Sequence, residues 1–315
     1  MNPTKNITLS QSVPVELNQT RLDVALSTLF PDYSRARLQQ WITEGLITVD
    51  EKILRKKDKV TAGQTLEIKA PETLTTEAAP QKIALNIIYE DEDLIIVNKP
   101  AGLTVHPGAG QRDQTLLNAL LYYDPKLANV PRAGIVHRLD KDTSGLLVVA
   151  RNLTAHHKLV KALQKHKIKR EYEAVVYGRI ISGGTIDAPI DRHPTKRILM
   201  AVVEDGREAT THYRVIERFS HHTHLRLILE TGRTHQIRVH LAHIDHPIVG
   251  DLVYGRLKLP KGASAELANA LKNFKRQALH ARYLALTHPT TGQLIEWQSE
   301  LPKDMQQLLV ILRKN

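Results

Sequence analysis

Apolar and polar positions alternate along the chain in two rhythms. Leu22, Ala25, Leu26 and Leu29 recur at i, i+3, i+4 and i+7, the spacing of one helix face. Pro31 stops that helix, Ser34 can cap a second, and Gly45 closes it after Leu38, Trp41 and Ile42. Short apolar runs at 47–49 and 65–68 predict strands around the basic stretch 52–59. Further on, strands are predicted at 85–89, 94–98, 146–150, 173–177, 211–216, 225–230 and 283–287. Helical spacing marks 115–123, 153–165, 234–243, 263–274 and 304–313. Strands outnumber helices and do not strictly alternate with them, so the expected fold is α+β with a mixed, mainly antiparallel sheet.

The pattern breaks at residues 71–81, where Pro71 and Pro80 bracket Thr, Glu and Ala without an aromatic residue. This reads as a linker between a small domain, 1–70, and a large one, 82–315. Charge sharpens the division. Of 44 basic and 33 acidic side chains among 315 residues, 10 and 8 fall in 1–70, while 34 and 23 fall in 82–315. The whole surplus of +11 therefore sits in the large domain and points to a polyanion, foremost nucleic acid. Cysteine is absent, which removes disulfides, thiol nucleophiles and Cys-ligated metals. No apolar run approaches the ~18 residues that span a bilayer, and the first residues lack the apolar core of a signal peptide. A cytoplasmic protein with no membrane role is the expectation.

The densest polar segment is Gly134-Ile-Val-His-Arg-Leu-Asp-Lys-Asp-Thr-Ser-Gly145, followed by an apolar strand. As a calcium loop beginning at Asp140 it fails, because Arg151 stands where the bidentate Glu belongs. As an aspartyl phosphatase it begins a D-x-D-x-T-like pattern with Thr143 one place early, and no later acidic pair offers itself for magnesium. As a metal-free carboxylate nucleophile toward a sugar carbon, Asp140 needs a nearby cation to offset desolvation. Thr231-Gly-Arg-Thr-His-Gln-Ile-Arg238 can supply one. There Thr234 can cap a helix on which His235, Arg238 and Ala242 share a face, a segment that also suits a phosphate. Arg35 and Arg37, in the first turn after Ser34, could reach an anion near that helix start. His235, His240, His243 and His246 lack a convincing acidic companion for zinc. His221, His222 and His224 read as exposed turn residues.

Residues 134–145 resemble the H-R-L-D signature of the RluA-type pseudouridine synthases, with Asp140 at the position of the catalytic aspartate. Tyr89-Glu-Asp-Glu-Asp with Asn98-Lys-Pro-Ala-Gly-Leu-Thr-Val-His106, then Arg170-Glu-Tyr172, then 231–238 agree with that family in order and spacing. Two helices followed by strands make residues 1–70 similar to an S4 RNA-binding domain, where Arg35 and Arg37 would meet phosphates. The resemblance implies an isomerase that turns uridine into pseudouridine without metal or cofactor. It implies Asp140 as nucleophile, Tyr172 as the tyrosine against the base and its proton acceptor, and Arg238 as the partner of Asp140. Arg138 would fill the space of the extruded nucleotide, and Arg233 would bind RNA. Lys99, Pro100 and His106 would shape the wall of the site. The implied partner is 23S ribosomal RNA in the large-subunit precursor, at the helix 69 stem-loop, with no obligate protein partner. With two Trp, nine Tyr and three Phe, stacking platforms are scarce and recognition should lean on phosphates and RNA shape. A non-catalytic ribosome-assembly factor remains the other class.

Overall fold

The computed structural model describes residues 6–30, 33, 35–71, 78–108, 111–196 and 198–315. Pro31, Ser34 and residues 72–77 of the expected linker lie outside the described residues. The chain divides into two compact units, Met1–Glu77 with Lys126–Ala133, and Ala78–Pro125 with Gly134–Asn315.

The first unit contains β1 (Asn6–Ser12), β2 (Thr20–Arg21), α1 (Leu22–Leu29), α2 (Arg35–Thr43), β3 (Ile47–Val49), β4 (Lys59–Val60) and β5 (Thr65–Pro71). Its sheet runs β1-β5-β3, antiparallel throughout, and β2 pairs with β4. In β5 the buried Leu66, Ile68 and Ala70 alternate with Thr65, Glu67 and Lys69, the period of a strand with one face inward. Leu22, Ala25 and Leu26 of α1 and Leu38, Trp41 and Ile42 of α2 complete that core. Beneath them Asp23 is fully buried and takes bonds from Arg21, Arg35 and Gln39. Arg35 Nη2 lies 2.7 Å from Asp23, so the arginine read as an anion contact is also the counter-ion of a core carboxylate.

The second unit contains β6 (Ile87–Glu90), β7 (Leu94–Lys99), α3 (Leu116–Tyr123), β8 (Ser144–Ala150), α4 (Leu153–Gln164), β9 (Lys169–Tyr177), β10 (Gly184–Asp187), β11 (Ile190–Arg192) and β12 (Met200–Val202). It continues with β13 (Thr210–Arg218), β14 (His222–Leu229), α5 (Gln236–His243), α6 (Ala265–Asn273), β15 (Leu279–Thr287), β16 (Leu294–Gln298) and α7 (Lys303–Arg313). One sheet has the order β10-β13-β14-β9-β15-β8-β7-β6, with β16 added to β15. Every pair is antiparallel except β15 with β8, so the mixed, mainly antiparallel α+β architecture expected from the pattern is the one observed.

That single parallel contact positions the site. Gly145 pairs with Ala281, and Ala281 pairs with Tyr172. At Gly145, φ is +117° and a β-carbon would stand 2.3 Å from the Ala281 carbonyl oxygen, so only glycine admits this approach. Three central strands are thereby aligned at one level, with residues 137–143 at the mouth of β8 beside Tyr172 on β9.

Two expectations need correction. His222 and His224 are not exposed turn residues: β14 begins at His222, and the two are 1% and 4% exposed. His224 Nε2 lies 2.9 Å from Glu173, which explains a charged-looking residue inside a strand. Helix α5 begins later than expected and Thr234 does not cap it; the capping position is His235, in left-handed backbone at φ 56°.

Candidate active site

A cleft of about 490 Å³ opens between the 136–143 segment, the end of α4, β9 and the 229–238 segment. Asp140, Tyr172, Arg238, Arg138 and Arg233 all line it. His106 is not among its lining residues, and Arg35 and Arg37 belong to the first unit. Arg37 lies over the Trp41 ring, 5.2 Å from its centroid.

Asp140 and Arg238 stand 98 positions apart in sequence, yet Arg238 Nη1 donates to Asp140 Oδ2 at 3.0 Å. The rest of the guanidinium is committed elsewhere. Its Nε and Nη2 donate to the two oxygens of Asp251 at 2.6 and 3.0 Å, a fork that fits a carboxylate edge. Asp251 also accepts the amides of Val253 and Tyr254, and so folds the turn that lays the Tyr254 ring 4.9 Å from the guanidinium. Burial alone would raise the Asp251 carboxyl, but the bonds and charge of Arg238 outweigh it and hold the carboxyl below its ordinary value. Burial likewise opposes the charge on Arg238, and its carboxylate partners restore it and more. One cation is thus shared by two carboxylates.

His235 faces Asp140 with Nε2 at 3.8 Å from Oδ1. The amide of Met200 donates to the Tyr254 hydroxyl, whose oxygen also lies 2.7 Å from His235 Nδ1. Burial, together with Arg238 and Arg138, pulls its pKa below the usual imidazole value despite Asp140.

Tyr172 is 5% exposed, and burial, reinforced by Asp140 and opposed by Arg170, raises its phenol above 10. A phenol kept protonated is a poor base. Packing against the base is therefore the stronger of the two roles that the resemblance suggests for it. Behind the loop, Lys99 is fully buried, and its ammonium donates to the carbonyls of Pro100, Leu103 and Lys141 at 2.8–2.9 Å. The residue after Asp140 is thus tied to the end of β7. His240 bonds Thr211 and Ala188, and His246 bonds the Tyr177 carbonyl, so both serve packing contacts. Among the described residues no cluster of three His, Asp or Glu side chains could hold a metal ion.

Comparison with known proteins fits this arrangement. The sequence profile of the RNA pseudouridylate synthase family matches residues 93–243, and that of the S4 domain matches 20–66. Ribosomal large subunit pseudouridine synthase D of Pseudomonas aeruginosa is 56% identical over 304 residues, covering 96% of this chain and 95% of that protein. The chain belongs to the RluA-type pseudouridine synthase family. The protein of the same name from Escherichia coli K12 is 56% identical over 295 residues, covering 93% of this chain and 90% of the relative. Among solved structures, human RNA pseudouridylate synthase domain containing 1 is similar with a TM-score of 0.55 at 27% identity, covering 75% of this chain and 97% of that one. As a family member, the chain carries its H-R-L-D, R-x-Y and 231–238 segments on one cleft. Asp251 and Tyr254 are not among the residues expected from the sequence. The available signal was an Asp followed three places later by Tyr, directly after Pro247–Gly250, in a region without helical or strand periodicity.

Proposed function

We propose that the protein isomerises uridine to pseudouridine in 23S ribosomal RNA of the large-subunit precursor, at the helix 69 stem-loop, in the cytoplasm. The observation that carries the reading is the 3.0 Å pair of Asp140 with a buried arginine in a cleft also lined by Tyr172. A cation stands where a phosphatase of the D-x-D type would need further carboxylates, and this favours carboxylate chemistry on a sugar. The relatives' names supply the ribosomal substrate.

In this mechanism the target nucleotide leaves its stack and enters the cleft, and Arg138 fills the space it vacates. Extrusion costs a few kcal/mol, which a stacking guanidinium partly returns. Asp140 attacks the ribose C1′ or assists elimination there, and the electron pair of the N1–C1′ bond leaves with uracil. The base turns against Tyr172, C5 bonds C1′ as any bond from C1′ to Asp140 breaks and its electron pair returns to the carboxylate, the C5 proton departs and N1 gains a proton, so no atom is lost or added. Arg238 holds Asp140 in line throughout. His235 turns its Nε2 to the same region.

Asp140→Asn tests the assignment. RNA binding should persist while tritium release from C5-labelled uridine falls to background. Near-normal turnover in this variant would refute Asp140 as nucleophile. A protein that acts only in ribosome assembly would show no turnover in either form and no cellular effect of the substitution.

A further inference from the structure

Arg170 lies at the heart of the cleft and has no role in the mechanism above. The residue is 9% exposed. Its Nε is sealed from solvent without a hydrogen-bond partner, and no described carboxylate forms an ion pair with it. Two other buried basic side chains among the described residues have their donors engaged: Arg238 bonds two carboxylates and Lys99 three carbonyls. A buried guanidinium without a counter-ion is costly, because desolvation is not repaid by Coulomb attraction or hydrogen bonds. Its field is felt nearby: burial, with Arg170 as the second cause, lowers His137 to about 3.

The surroundings keep this cation open rather than neutralise it. Gly232 gives the guanidinium its room, since a β-carbon there would stand 3.0 Å from Arg170 Nη1. The cleft is lined by Arg138, Arg170, Arg233 and Arg238 against one carboxylate, Asp140. Arg238 is already shared between Asp140 and Asp251, and the Nε of Arg233 is used by the Glu208 carbonyl. The planar donor fork of Arg170 therefore awaits an anion that arrives with the substrate.

We propose that Arg170 binds a phosphodiester of the target nucleotide and so anchors the extruded residue inside the cleft. The proposal rests on the reading of the cleft as an RNA-modifying site. Uracil is neutral in the ground state, whereas the linkage attached to the ribose carries a full charge into the cleft. A phosphate would supply the acceptor oxygens that the guanidinium lacks in the free protein.

The test measures the affinity of the full-length protein for a substrate stem-loop RNA across a range of potassium chloride concentrations. Each phosphate neutralised contributes about 0.7–0.9 to the slope of log K against log salt. Arg170→Met should weaken binding about 5–20-fold at low salt and flatten the slope by one such contribution. In parallel, a stem-loop with one neutral methylphosphonate next to the target nucleotide should lose affinity with the wild-type protein and none further with Arg170→Met. This arm needs only the unaltered protein to fail: undiminished wild-type affinity for the neutral linkage on either side of the target overturns the proposal. An unchanged salt slope in a folded Arg170→Met overturns it as well. A fall in kcat with wild-type affinity and slope would instead place the guanidinium on the base, and also refutes it. Because these readouts are of binding, they are independent of Asp140→Asn, whose retained turnover would sink the catalytic reading alone.

Discussion

Replacing Asp251 by Asn should damage both the stability and the chemistry of the cleft, although Asp251 is not positioned to attack anything. Asp251 accepts four bonds, two from Arg238 and one each from the amides of Val253 and Tyr254. Asn keeps one acceptor oxygen, which can still serve Nη2 and both amides. The other corner becomes an NH2 group facing Arg238 Nε across a 2.6 Å contact, donor against donor. One charge-assisted bond worth about 1.5–3 kcal/mol is lost and a buried donor is stranded for about 1–3 more. Breaking a buried pair costs about 3–5 kcal/mol, and Asp140 remains to compensate the cation, so about 3 kcal/mol is expected. The displaced guanidinium no longer holds Asp140 in line, and a 1 Å error of that kind lowers turnover by about 10²-fold. Urea unfolding and single-turnover kinetics of the full-length protein measure the two losses. The double variant Asp251→Asn/Arg238→Met, which leaves no unpaired charge at that position, should recover about 2 kcal/mol of the summed single losses. An Asp251→Asn stability within about 1 kcal/mol of wild type, or a double variant equal to the sum of the singles, would refute this role of the Asp251–Arg238 pair.

Two further outcomes are expected. Lys99→Met strips the donor from three carbonyls at the base of the Asp140 loop and should cost about 2–4 kcal/mol while lowering kcat more than it raises KM, read from unfolding and steady-state kinetics. Stability should also fall with acid between pH 6.5 and 5. Burial, seconded by Arg170 at His137, by His221 at His222 and by Arg282 and Arg276 at His280, lowers His137 to about 3 and His222 and His280 to about 4, so these imidazoles stay neutral in the fold while the unfolded chain protonates near 6.5. Their stabilisation is therefore complete above that pH and lost below it, by about 1.5 kcal/mol each at pH 5. His280→Gln, whose amide can still bridge Ser144 and Ser299, should remove about a third of the acid loss in urea unfolding at the two pH values; an unchanged pH dependence would count against the burial argument.

What the sequence made legible, and what it hid, follows the range of the forces involved. The runs at 94–98 and 146–150 became β7 and β8 because strands buried on both faces need continuous apolar side chains, a local property. Both β9 and β14 were read short at their beginnings. Lys169-Arg-Glu and His222-Thr-His carry charge or titratable nitrogen, and only tertiary partners such as Glu173 beside His224 make them tolerable in a strand. Asp140 was legible as a candidate because its neighbours in sequence are unusual. Its pairing with Arg238 came through the family resemblance, since the helix pattern only placed a cation near enough to matter.

Asp251 and Arg170 mark the limit of such reading, and for opposite reasons. A single Asp in an aperiodic stretch has the same appearance whether it is solvated or buried under two bonds from an arginine. Arg170 sits in a recognised motif, but nothing in the motif says that the fold withholds its counter-ion. Taken together the two residues describe a division of charge. Asp251 saturates most of Arg238, so that cation can hold Asp140 through one N–H without enclosing it, and Arg170 is left uncompensated for the substrate to complete. A free cleft with one over-shared and one unshared guanidinium is less stable than a fully paired one, and the deficit is made good only when a polyanion enters. The +11 surplus of the large domain thus acts at two ranges, as a field that gathers RNA and as one cation kept open at the point where the target nucleotide must be held.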